Sequence, residues 1–82
     1  MKQYLAIYEE ENVFVYLQKR QLIKQYKAAK EKLLAWFMSW LDFKERNPKW
    51  SGVFSFRINQ QYRAICYERD GYLVVTEIDD HQ

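Results

Sequence analysis

Residues 52–80, GVFSFRINQQYRAICYERDGYLVVTEIDD, decide the fold. Three runs in this stretch, near residues 53–58, 62–67 and 72–78, are rich in aromatic and β-branched side chains, and short polar segments separate them. Such side chains suit a pleated, half-buried surface, so the runs predict three strands joined by two hairpins. Arg69-Asp70-Gly71 suits a three-residue loop with the glycine in the left-handed region, and Asn59-Gln60-Gln61 makes a similar short connection.

Those loops set the register. If residues 58 and 62 close the first loop, Arg57 lies opposite Arg63; if 68 and 72 close the second, Arg63 lies opposite Glu77. One sheet face then carries Arg57, Arg63 and Glu77. The other carries Phe54, Phe56, Ile58, Tyr62, Ala64, Cys66, Val74 and Ile78, an apolar set suited to packing under helices.

Upstream, residues 9–41 contain no glycine or proline, and strong helix formers dominate residues 19–35. Leu22, Ile23, Tyr26, Ala29, Leu33 and Leu34 recur at three/four spacing, with Lys24, Lys27 and Lys30 off that stripe, which predicts a helix with its apolar side on the sheet. Residues 13–17 would suit a strand or a first helix, and we read them as helix. Residues 3–8 alternate and read as a short first strand. The segment Trp36-Phe37-Met38-Ser39-Trp40-Leu41 is apolar all round, so something should cover it, either the sheet or a partner segment. Pro48, with Lys44, Arg46 and Lys49 around it, marks a loop leading into the meander. The expected fold class is α+β. It is a single small domain over residues 1–82, with an N-terminal strand, one or two helices, and a three-stranded antiparallel meander packed against the helices.

At 82 residues with 49% apolar and 18% aromatic content, the chain is long enough for one core and too short for two domains. Cys66 is the only cysteine, and no Cys/His cluster has zinc-ligand spacing, so neither an internal disulfide, a metal nor a small-molecule cofactor is expected. No apolar run reaches the roughly 18 residues that cross a bilayer, and the opening MKQYLAIYEEE lacks the order of a signal peptide, which points to a cytoplasmic protein with no membrane partner.

Net charge is only +2, but it is unevenly spread. Residues 19–32 hold six basic side chains against Glu31, and residues 44–63 hold five against Glu45. Balancing acid gathers at Glu9-Glu10-Glu11 and at Glu77, Asp79 and Asp80. An electrically two-sided molecule offers one side to a polyanion; the plainer alternative is a solvated lysine face on an ordinary helix. Two arginines paired across neighbouring strands repel unless an anion or carboxylate lies between them. Glu77 neutralising Arg63 while Arg57 reaches solvent is one solution. A phosphate gripped by both arginines is the other, with Lys44, Arg46 and Lys49 extending the cationic surface and Tyr67 and Tyr72 adding stacking area.

The stretch GVFSFRINQQYRAICY followed by LVVTEIDDHQ resembles the C-terminal half of toxins of the RelE/ParE superfamily, in particular the YoeB-like branch. Arg57, Tyr62, Arg63 and His81 carry the likeness, which is specific over residues 42–82 and only compatible with the chain before them. The resemblance implies the toxin of a type II toxin-antitoxin system, a ribosome-dependent messenger-RNA endonuclease held inactive by a cognate antitoxin, with ribosome and mRNA as further partners. It gives catalytic roles to Arg63, His81 and Glu45. Cleavage through the RNA 2′-hydroxyl needs charge stabilisation at phosphorus, a proton acceptor and a proton donor. Arg63, helped by Arg57, would supply the first, and Glu45 and His81 the second and third, in that order or exchanged. The chain departs from the pattern at Val53 and Ser55, where some relatives carry lysines, and at Gln82, where many carry a tyrosine nearby. Within the same superfamily the alternatives are a ParE-like, non-enzymatic inhibitor of DNA gyrase and a catalytically inactive binding module.

Overall fold

A computed structural model of the chain describes residues 4–35, 43–45 and 52–80. Its elements follow in the order β1 (Ala6–Glu9), α1 (Glu11–Lys19), α2 (Ile23–Leu34), β2 (Lys44–Glu45), β3 (Val53–Arg57), β4 (Tyr62–Arg69) and β5 (Tyr72–Asp80). The strands form one mixed sheet in the spatial order β1-β5-β4-β3-β2. β3, β4 and β5 are the antiparallel meander, β2 adds two residues at one edge, and β1 runs parallel to β5 at the other. The small α+β domain is the one the sequence predicts, apart from the added short β2.

The helical region breaks in two without a glycine or proline. Core residues in it fall at Val13, Leu17, Leu22, Tyr26, Ala29 and Leu33. The step from Leu17 to Leu22 is five residues, which no continuous helix face accommodates. The chain resolves it with Gln21 at φ 59, the left-handed conformation. The amide of Leu22 donates to the Leu17 carbonyl at 2.8 Å and that of Gln21 to the Gln18 carbonyl at 3.2 Å, the paired bonds that close a helix C-terminus. Glu11 in the first turn of α1 and Lys19 in the last suit the helix dipole.

The two helices lie on one face of the sheet. Between them and the strands sit Ile7, Phe56, Ala64, Cys66, Leu73, Val75 and Ile78, with Tyr4 at one end, and Leu17, Leu33, Phe56, Leu73 and Val75 are wholly excluded from solvent. Side chains of that size contribute about 1.5–3 kcal/mol each when fully buried. Ile23 and Leu34 flank this core half-buried, as the helical stripe predicts. One polar group is built into the same layer. The Glu9 carboxylate, at the end of β1, accepts hydrogen bonds from the Tyr26 hydroxyl and the Lys30 ammonium, both at 3.0 Å, and so ties β1 to α2.

The second hairpin differs from the expected one. Arg69 pairs with Tyr72, so its loop is the two residues Asp70-Gly71, both at positive φ (53 and 86). That is the primed turn that Asp-Gly favours, because its twist matches the strands. A register shift between Ile65 and Cys66 then makes Thr76 an extra residue in β5: Cys66 faces Val75 and Ile65 faces Glu77. The turn and the bulge together place Asp79, rather than Glu77, opposite Arg63. The turn alone sets Val74 on the face away from the helices, where it pairs with Tyr67, and puts Leu73 and Val75 in the core instead. The first hairpin matches expectation: the Ile58 amide donates to the Tyr62 carbonyl, and the Asn59 side-chain oxygen accepts from the amides of Gln61 and Tyr62. No helix among the described residues is long and apolar enough to cross a membrane.

Candidate functional site

The face of the sheet away from α1 and α2 carries a row of charge at one end. Arg57 on β3 pairs with Arg63 on β4, which in turn pairs with Asp79 on β5. One step along, Ser55, Ile65 and Glu77 stand side by side across the same three strands. Arg57 and Glu77 are exposed and Asp79 is half-buried. Arg63 is only 9% exposed, so the charge needs local polar partners. One is Ser55, itself fully buried, whose hydroxyl oxygen accepts from the Arg63 guanidinium at 3.1 Å. The hydrogen bond fixes one arm of the guanidinium and so orients its planar fork.

The sequence-predicted residues are distributed unevenly over this frame. Arg57 and Arg63 come together on one face, as their register predicts. Glu45 does not join them. It pairs with Phe54, whose ring stacks on Phe43 at 5.3 Å on the helix side of the sheet. Tyr4, also on that side, has its hydroxyl pKa raised by burial first and then by the carboxylates of Glu68 and Glu45. The alternation of the short β2 strand is the physical reason: adjacent residues point to opposite faces, and Lys44 is the one in register with Ser55. Arg46, Lys49, His81, Pro48 and the Trp36–Leu41 segment lie outside the described residues.

Three groups that sequence reasoning missed belong to the arginine face. Ser55 stands out in the sequence only where some of the toxins it resembles carry a lysine, and its role as an acceptor for Arg63 follows from the β3–β4 pairing. Asp79 takes the place expected of Glu77 because of the two-residue turn together with the bulge at Thr76, for which β5 offers no glycine as a marker. Tyr8 is 57% exposed on β1 and its ring centroid lies 5.6 Å from that of Tyr72, bringing a first-strand aromatic to the same face. That contact needs the parallel β1–β5 pairing, a long-range event no local pattern announces.

Chemically, the face offers a fixed guanidinium, a second exposed one, and two carboxylates, Asp79 in the row and Glu77 one step along it. This set suits binding and polarising a phosphodiester. Among the described residues no group of three or more histidine, cysteine or acidic side chains is arranged to hold a metal ion. Cys66 lies on the other face, and burial pushes its thiol pKa up to about 12, so it is a core residue and a poor nucleophile. Compared with known protein families and with curated proteins, the sequence matches no family and no relative.

Proposed function

We propose that the chain is the toxin of a type II toxin-antitoxin pair, an endoribonuclease that cuts messenger RNA on the ribosome and acts in the cytoplasm. The observation that carries this reading is the pairing of the exposed Arg57 with the nearly buried Arg63 on the sheet face opposite α1 and α2. The resemblance of residues 42–82 to the RelE/ParE superfamily supports it. In the reaction, the 2′-oxygen attacks phosphorus, the P–O5′ bond breaks, and a 2′,3′-cyclic phosphate forms. Arg63, held by Ser55, neutralises charge building on the phosphoryl oxygens, and Arg57 anchors the adjoining backbone. The 2′-hydroxyl proton goes to a carboxylate. Glu77 takes this role in place of Glu45, since it shares the arginine face and is exposed. His81 protonates the departing 5′-oxygen. Lys44, Arg46 and Lys49 add contacts to the backbone, and an antitoxin segment blocks the same face.

Arg63→Ala is expected to abolish growth arrest and to reduce ribosome-dependent cleavage by at least about 100-fold. Because Arg63 is buried, its circular dichroism spectrum and thermal melt are recorded alongside, and Arg57→Ala, at an exposed position, serves as the second variant. Undiminished toxicity in folded Arg63→Ala protein would refute the nuclease.

A gyrase inhibitor is the second reading. Phe14 and Val15 on α1 are 45% and 39% exposed, an apolar helix surface of the kind such an inhibitor would present. Induction separates the two: a nuclease halts protein synthesis first and leaves discrete mRNA ends, whereas a gyrase poison first produces DNA breaks and filamentous cells.

A further inference from the structure

The arginine face continues beyond its charged end into aromatic surface that the core does not use. Along β4, Tyr67 stands four residues from Arg63 on the same face, about 13 Å away at the usual strand rise, and Arg69 stands two residues further. Across from them on β5 are Val74 and Tyr72, and beyond these on β1 is Tyr8. Tyr67 and Tyr72 are half-buried, Tyr8 is mostly exposed, and the rings of Tyr8 and Tyr72 meet at a 45° tilt. The tyrosines of the core, Tyr4 and Tyr26, lie on the opposite face.

We propose that Tyr8, Tyr72 and Tyr67 form a base-stacking platform for single-stranded RNA, extending the phosphate grip of Arg57 and Arg63 into a track several nucleotides long. This rests on the nuclease reading and adds to it the path of the substrate. Charge chooses the occupant. Arg57 and Arg63 at one end and Arg69 at the other complement a polyanion, and an RNA strand supplies both the phosphates for these groups and flat bases for the rings between them. The acidic groups of the face set the polarity across the strand. Glu77 and Asp79 lie on β5, so the phosphates run over β3 and β4 and the bases turn toward β5 and β1, where Tyr72 and Tyr8 stand. Stacking tolerates any base, so the platform contributes affinity and registration more than sequence choice.

The test uses the full-length chain and 2′-O-methyl oligonucleotides, which cannot be cleaved, with binding read by fluorescence anisotropy. Tyr8→Ala and Tyr72→Ala are each expected to weaken binding of an octanucleotide about tenfold and to leave a dinucleotide unaffected. Tyr8→Phe and Tyr72→Phe should bind like the parent, since the ring and not the hydroxyl stacks. The salt dependence should be unchanged in the tyrosine variants and shallower by about one unit of slope in Arg57→Ala. Octanucleotide affinity indifferent to both alanine variants overturns the platform, as does an equal loss in the phenylalanine variants. Indifference to RNA combined with a change in self-association, seen by light scattering, would reassign the rings to a protein contact and also overturn it. Failure of the two readings is distinguishable. A protein that cuts RNA through Arg63 but ignores both tyrosines loses the platform alone, whereas one that binds through the tyrosines yet neither cuts nor arrests growth loses the nuclease alone.

Discussion

Glu9 shows at the level of one side chain how the fold spends a charge inside its helix–sheet layer. Its carboxylate receives the Tyr26 hydroxyl and the Lys30 ammonium, and Tyr26 is only 3% exposed. The buried hydroxyl therefore depends on Glu9 for its hydrogen bond, whereas Lys30 can turn to water. Glu9→Ala should destabilise the protein by about 1–3 kcal/mol in urea unfolding, and Glu9→Gln, which keeps an acceptor, should cost clearly less. If the two variants unfolded alike, the ion pair with Lys30 rather than the tyrosine contact would be the larger contribution. Arg63 is the contrasting case. Its position opposite Arg57 was legible from the loop between β3 and β4, because Asn59 fixes that turn through its own side chain. Its burial and its bond to Ser55 were not, since a serine in a strand reads equally well as solvent-facing.

At the level of elements, the join between α1 and α2 holds a conformation that glutamine adopts at a cost. Gln21 sits at φ 59 where a glycine would meet no Cβ penalty, and the left-handed region disfavours other residues by roughly 1–2 kcal/mol. Gln21→Gly should raise the unfolding free energy by about 0.5–1 kcal/mol, less than the full penalty because glycine also loosens the unfolded chain. A lowered melting temperature in that variant would contradict the assignment of strain to this residue. The same join explains what the sequence disclosed about the helices. The apolar stripe of α2 is readable, whereas residues 13–17 suit a strand as well as a helix; the five-residue step from Leu17 to Leu22 is the available sign of a break, but without glycine or proline it leaves one helix and two both open. β5 hides more. The two-residue Asp70-Gly71 turn puts Val74 on the face away from the helices, the extra residue Thr76 returns Ile78 to the core, and the two together bring Asp79 rather than Glu77 opposite Arg63. The bulge is fixed by tertiary contacts, with the Asn12 side chain donating to the Thr76 carbonyl and the Thr76 hydroxyl to the Ile65 carbonyl, both at 3.5 Å.

For the whole molecule, the buried acidic hydrogens set the response to alkali. The Cys66 thiol titrates near 9 when exposed and is pushed up to about 12 by burial. Below pH 9 it is neutral in both states and its stabilising contribution is complete. As pH rises from 9 toward 12, the unfolded chain loses the proton while the folded one retains it, and stability falls. Tyr26, raised first by burial and then by the Glu9 carboxylate, adds a loss of the same sign above pH 10, and Tyr4 behaves likewise. Urea midpoints measured from pH 8 to 11 should therefore decline, and Cys66→Ala should reduce the slope most near pH 9, where the tyrosines of the unfolded chain are still mostly protonated. A profile indifferent to pH over that range would mean that the thiol ionises in place.

The sheet order has a consequence for how the protein comes into being. β5 lies between β1 and β4, so the last of the described strands in sequence is the one that joins the first to the rest. A growing polypeptide that stops short of Tyr72 leaves β1 without its neighbour and α1 without the strand beneath it, whatever else has already collapsed. Assembly of this sheet during synthesis must therefore wait until residues 72–80 have emerged.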